Sequence, residues 1–158
     1  MQKITPFLWF DNNAEEAVAF YTQVFQDPKV GEVNRYGDAG PGPKGSVMVA
    51  TFTIMGQDFI ALNGGPMYKF TEAVSFVINC ETQDEVDNYW EKLTADGGQP
   101  GRCGWLKDKF GLSWQVVPVV LSKLLGGPDP QGSKRAMEAM MKMDKLDIPT
   151  LQKAYDGN

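Results

Sequence analysis

Histidine is missing from this 158-residue chain. That absence governs what chemistry its side chains can do. No Ser-His-Asp or Cys-His pair can be assembled, and no imidazole can ligate a metal. A general base working near neutral pH must then be a perturbed carboxylate, lysine or thiolate. The candidate nucleophile is Cys103, which shares the stretch RCGWLKDK with Trp105 and Lys107. A nearby cation lowers a thiol pKa and favours the reactive thiolate, which makes Cys103 and Lys107 weak catalytic candidates. The alternative is that Cys103 is a small core residue. Trp9, Met67, Tyr68, Phe70 and Trp105 have the chemistry of an apolar pocket wall, or of ordinary core. Strand alternation would turn Trp9 toward a helix. The glycine-rich loop from Gly37 to Ser46 is not a phosphate loop. Its Lys-Gly-Ser order is wrong, no helix follows, and Pro41 and Pro43 remove donors. A hairpin flap over a cleft mouth is expected there, with Lys44 and Arg35 either greeting an anion or simply solvated.

Bulk properties narrow the function classes. A net charge of −5 and a pI near 4.7 argue against a nucleic-acid surface, which needs a basic stripe. No apolar run is long enough to span a bilayer. Met1 to Pro6 leads straight into a strand, so no signal peptide is expected. Cys80 and Cys103 do not make a disulfide framework. A cytoplasmic protein with no nucleic-acid and no membrane partner is expected.

The elements that must position these side chains are announced by an internal repeat with an offset of about 69 residues. Asn13 with Glu16, and Thr82 with Glu85, have the spacing of a helix-capping box. Ala17, Phe20, Tyr21 and Val24 then form an apolar stripe at helical spacing, which Val86, Tyr89, Trp90 and Leu93 repeat. The first half is expected as a strand at 4–10, a helix at 13–25, and strands at 30–36, 46–54 and 59–63, with a hairpin turn over 55–58. The second half is expected as a strand at 73–79, a helix at 82–95 and three strands within 99–118. The first of those three is weakened by Gly97, Gly98, Pro100 and Gly101.

A helical tail follows. Leu121 to Leu125 form one turn, and Ser133 is expected to cap a helix with Ala136, Met137, Met140 and Met141 on one face. Asp147-Ile148-Pro149 starts a last helix with Leu151, Ala154 and Tyr155 inward. The methionine stripe either packs on its own sheet or forms a dimer contact.

Two strand-helix-three-strand modules of this size resemble the vicinal oxygen chelate superfamily of glyoxalase I, bleomycin-resistance proteins and extradiol dioxygenases. The closer resemblance is to its PhnB-like branch, often described as 3-demethylubiquinone-9 3-methyltransferase. It is carried by ITPFLWFDNNAEEAVAFY, RYGDAGPGPKGSVMVATF, FIALNGGPMYKFTEAVSF, CGWLKDKFGLSWQVVP and the tail KRAMEAMMKMDKLDI. The resemblance implies an α+β fold in which two βαβββ modules form a curled mixed sheet around a cleft. A glyoxalase-like domain would span 1–120, with modules 1–66 and 70–120, followed by a helical extension at 121–158.

The superfamily commonly places His or Glu metal ligands on the first and last strand of each module. Those positions here fall near Pro6, near Ser75, within Ile60 to Asn63, and at Gln115. None is a carboxylate or imidazole, so no metal is expected. No Gly-rich turn for a methyl donor is visible, so no cofactor is expected. If Gln115 lies where a ligand would, then Ser75, Val77, Asn79, Ser113, Gln115 and Val117 share the cleft face. Phe76, Ile78, Trp114 and Val116 then pack under the helix. The expected ligand-binding set is Asn63, Met67, Tyr68, Phe70, Ser75, Trp105, Ser113 and Gln115. Its polar members either meet a ligand or bond one another and the backbone. A homodimer that binds a small, partly aromatic or apolar organic ligand is expected. The alternative is an enzyme acting on a quinone-like or aromatic substrate.

Overall fold

Each half of the repeat folds as a strand, a helix and three further strands in the computed structural model, which describes residues 2–158. The chain divides into two compact units, Met1–Phe70 and Thr71–Asn158. Among the described residues no helix is long and apolar enough to cross a membrane.

The first unit comprises β1 (Phe7–Phe10), α1 (Ala14–Val24), β2 (Lys29–Arg35), β3 (Val47–Ile54) and β4 (Gln57–Asn63). Its sheet order is β1-β4-β3-β2, with β1 parallel to β4 and the other pairs antiparallel. The turn between β3 and β4 is tighter than the sequence suggests. Ile54 pairs directly with Gln57, leaving Met55 at φ 49 and Gly56 at φ 77. Two consecutive left-handed residues match the right-handed twist of the flanking strands.

One face of this sheet is buried under α1. Leu8, Ala61 and Ala50 lie side by side in register, as do Phe59 and Phe52, and all are buried. Tyr21 stacks on Phe52 at 6.0 Å, and Phe52 on Phe59 at 5.3 Å. The buried stripe of α1 is Ala14, Ala17, Val18, Tyr21 and Val24. It is turned slightly from the expected one, so Phe20 sits half-buried at its edge and tilts against Tyr21 at 5.5 Å. Trp9 and Phe7 alternate with Leu8 and Phe10 and face away from α1. This corrects the expectation for Trp9. The helix cap also differs. Asn13 makes no side-chain cap bond, and Ala14 N donates instead to Asn63 Oδ1 at 2.8 Å.

The second unit repeats the plan with β5 (Ser75–Cys80), α2 (Gln83–Thr94), β6 (Gln99–Pro100), β7 (Trp105–Lys107) and β8 (Ser113–Pro118). Its sheet order is β5-β8-β7-β6, with β5 parallel to β8. Here the local cap forms: Thr82 Oγ1 accepts from Glu85 N at 3.2 Å, and the Glu85 carboxylate accepts from Glu81 N at 2.6 Å. Val86, Tyr89 and Leu93 are buried, while Trp90 is half-buried.

The tail forms α3 (Leu121–Leu125), α4 (Pro130–Met140) and α5 (Ile148–Asp156). Leu124, Ala136, Leu146 and Leu151 make its core. Asp129, not Ser133, caps α4, accepting from Gln131 N at 3.1 Å. Pro130 is fit for the first helical position because it has no N–H to leave unpaired, so the helix starts four residues early. The expected methionine face is split: Met140 packs against the tail core, whereas Met137 and Met141 are exposed. The tail docks on its own unit through backbone bonds, Cys103 N to Met143 O at 2.9 Å and Gly104 N to Asp144 O at 2.7 Å. Gln83 adds a side-chain clasp, donating to Leu146 O at 3.0 Å and accepting from Ile148 N at 2.7 Å.

Candidate functional site

The face of the second sheet turned away from α2 carries the polar candidates. Ile78, Trp114 and Val116 are buried on the helix side, and alternation sends their neighbours the other way. One row across the strands reads Ser75, Ser113, Lys107 and Gln99; the next reads Val77, Gln115 and Trp105. Val77 and Asn79 are exposed, as the open face requires. Gln115 Nε2 donates to Ser75 Oγ at 2.9 Å, so these two already satisfy one another in part.

Ser113 is different. It is 1% exposed, and its Oγ has no hydrogen-bond partner among the described residues. A buried hydroxyl left in that state costs about 1–3 kcal/mol. It lines a cavity of about 170 Å³ with Glu72, Gln99, Pro100, Gly101, Trp105, Leu106 and Lys107. The Lys107 ammonium is paired with the Glu72 carboxylate, and this contact holds the Glu72 carboxyl below the usual range.

Sequence reasoning missed the group that shapes this end of the sheet. Asp108 is 2% exposed. Its carboxylate accepts from Phe110 N at 2.9 Å, Leu112 N at 3.1 Å and Trp114 Nε1 at 2.9 Å. That cluster closes the β7–β8 turn, where Gly111 has φ 86, and so sets the register that places Lys107 opposite Ser113. The available signal was an acid four residues before a Leu-Ser-Trp strand, with a glycine between.

Cys103 lies outside this row. It has φ 56, its Sγ donates to Met140 O at 3.5 Å, and its N–H holds the tail. Cys80 is fully buried, and burial pushes its thiol up to about 11.

The remaining candidates belong to the first unit. Asn63 is buried and committed to the scaffold: besides capping α1, its Nδ2 donates to Val47 O at 3.1 Å, and its carbonyl accepts from Tyr36 Oη at 2.6 Å. Met67 is 75% and Tyr68 59% exposed. The Tyr68 ring meets Trp9 edge-on at 4.9 Å, and Phe70 meets Phe10 edge-on at 5.3 Å. A second cleft of about 300 Å³ lies where the 37–46 loop approaches Asp11, Asn12 and Asn63–Gly65. The loop wraps Tyr36 so closely that a Cβ at Gly42 would sit 2.2 Å from its ring.

Metal and methyl-donor chemistry can be tested against the residues present. Of the positions that would ligate a metal, the second unit offers Ser75 and Gln115, which bond each other, and the first offers Pro6, just ahead of β1, and the span from Ile60 to Asn63. No cluster of three or more His, Cys, Asp or Glu side chains suited to a cation occurs among the described residues. Neither unit's donors fit a first-row divalent metal. A methyl-donor cradle fits no better. The turns after β1 and β5 read Asp11-Asn12-Asn13 and Glu81-Thr82, without the glycine that lets a backbone approach a cofactor.

Comparison with known proteins gives a family and a fold. A family model described as 3-demethylubiquinone-9 3-methyltransferase matches residues 2–117. A solved structure described as a putative 3-demethylubiquinone-9 3-methyltransferase, PhnB protein, from Bacillus cereus is 38% identical. It covers 75% of this chain and 100% of its own length, with a TM-score of 0.67. Protein PA1353 from Pseudomonas aeruginosa is 22% identical over 75% of this chain and 98% of its own, with a TM-score of 0.62. The fosfomycin resistance protein FosX from Listeria monocytogenes, solved with Mn(II) and sulfate, is 15% identical. It covers 80% of this chain and 98% of its own, with a TM-score of 0.54. The last two likenesses speak for the fold alone. No protein of curated function matches the chain.

Proposed function

This chain belongs to the PhnB-like family described as 3-demethylubiquinone-9 3-methyltransferase, within the glyoxalase/bleomycin-resistance superfamily, and from that premise we propose that it binds a small organic molecule without a catalytic metal. The observation that carries the reading is the unpartnered Ser113 hydroxyl, buried in a cavity wall with Trp105 and Lys107 and paired across the strands with Ser75. A ligand that accepts or donates there recovers the cost of the orphaned group. The alternative, an enzyme working through Cys103 or Lys107, is less well supported. The Cys103 thiol is occupied with Met140 O, and Lys107 with Glu72.

The reading includes a homodimer in a cytoplasmic setting. The exposed Met137 and Met141 support the first, and two free cysteines the second. Native mass spectrometry of freshly purified protein tests the central claim. A co-purified small organic mass is expected. Stoichiometric zinc, nickel or iron would overturn it. Sedimentation of a Met137→Lys, Met141→Lys double variant tests the dimer, which that variant should weaken.

A further inference from the structure

We propose that the cavity at Ser113 takes the carboxylate of a small planar organic acid, which displaces Glu72 from Lys107 and receives the Ser113 hydroxyl beside the Trp105 ring. This deepens the small-molecule reading above and rests on it.

The argument begins with the strand pairing. Asp108 N donates to Leu112 O at 2.9 Å, and Val116 N to Gly104 O at 2.8 Å. Those bonds fall on alternate residue pairs, so Lys107 and Ser113 face each other as a non-hydrogen-bonded pair. In such pairs the side chains approach most closely. A cation and an unsatisfied hydroxyl donor therefore share one spot. Their donors match the two oxygens of a carboxylate. A phosphate dianion would leave its second charge unmatched and would face Glu72.

The chain also supplies its own stand-in. The Glu72 carboxylate already sits on Lys107, and its lowered pKa, caused chiefly by the bond from Lys107, keeps it ionised. Both partners of that ion pair are substantially exposed, at 38% and 59%. Exposed pairs of this kind are weakly held, and an incoming acid can replace Glu72 without breaking the fold. Ser113 is the element Glu72 leaves unused: its Oγ stays without a partner even with the ion pair made. The cavity, about 170 Å³, is below the usual range of about 300–1,000 Å³ for drug-sized ligands. It suits a single-ring or short-chain acid, with Trp105 offering a flat apolar wall.

Titration of the intact chain with sodium benzoate, benzamide and inorganic phosphate, followed by ligand-observed NMR, tests this. Benzoate is expected to bind with a dissociation constant of about 1 mM or tighter, with benzamide and phosphate at least about tenfold weaker. Glu72→Gln should tighten benzoate at least about threefold by removing the competitor. Ser113→Ala should weaken it at least about fivefold, in line with loss of a hydrogen bond to a charged group. Lys107→Gln should abolish binding, and Lys107→Arg should keep it, which separates loss of charge from loss of fold. Equal binding of benzamide and benzoate, stronger binding of phosphate, or no tightening in Glu72→Gln would overturn the proposal. So would the absence of benzoate binding to both the wild type and Glu72→Gln. If native mass spectrometry then finds a neutral ligand, the carboxylate inference falls while the binding reading stands.

Discussion

Asn63 caps a helix that begins 49 residues before it: its Oδ1 accepts from Ala14 N at 2.8 Å. The last residue of β4 thereby satisfies the first free N–H of α1, while its Nδ2 donates to Val47 O of β3. Three elements are fastened by one amide.

Asn63→Ala should therefore cost about 2–3 kcal/mol, combining a lost cap with two buried backbone groups left unpaired. Asn63→Asp should not rescue it. The carboxylate still caps Ala14, but its second oxygen then confronts the Val47 carbonyl instead of donating to it. Urea denaturation with an unchanged m-value would measure both. A loss below about 0.5 kcal/mol in Asn63→Ala would contradict the fastening role.

The α1 stripe makes a paired prediction. Tyr21 is fully buried and stacks on Phe52, so Tyr21→Ala should cost about 3–5 kcal/mol. Phe20, at the stripe edge, should cost about 1–2 kcal/mol. Equal losses at the two sites would show that the helix is rotated from this arrangement.

These two cases explain what could be read from the chain before its structure. Hydrophobic spacing located both helices and most strands within a few residues, because burial of one face enforces period 3.6 or period 2. Parity in β5 and β8 also separated Ser75, Ser113 and Gln115 from Trp114 and Val116. What escaped was every choice made by a distant partner. Asn13 looked like a cap, yet Asn63 does the work, whereas Thr82 keeps its local cap on α2. Ser133 looked like a helix start, yet Asp129-Pro130 provides one earlier. The spacing of apolar residues did not mark Asp108, and only the folded β7–β8 turn aims Trp114 Nε1 and two backbone N–H groups at it.

Thiol chemistry gives a third prediction. Burial first, and Glu85 second, raise the Cys80 thiol to about 11, so at about pH 8 it is protonated as well as inaccessible. A disulfide-exchange probe should modify one cysteine, Cys103, in the native chain and two after denaturation. Cys103→Ser should then leave no native reactivity. Rapid modification of Cys80 without unfolding would contradict its placement.

The tail supplies a pH-dependent prediction. Lys145 pairs with Asp87 of α2 at 2.8 Å, and Gln83 donates to the same carboxylate at 3.0 Å. Hydrogen bonding from Lys145 first and Gln83 second holds the Asp87 carboxyl below its ordinary value. A carboxylate whose folded pKa is depressed stabilises the fold above its unfolded pKa and loses that contribution as pH falls through the folded value. Asp147, the α5 cap, is lowered in the same direction by its bonds to Thr150. Acid should therefore loosen the tail from α2 as pH drops below about 4. Asp87→Asn should lower the denaturation midpoint at about pH 7 yet converge with wild type as acid protonates the Asp87 carboxyl and both side chains become neutral. The Asp87 pair is largely exposed, so the gap at neutral pH should be small, within about 1 kcal/mol, and should shrink further in high salt. A gap that widened on acidification would mean that Asp87 is not held by Lys145 and Gln83.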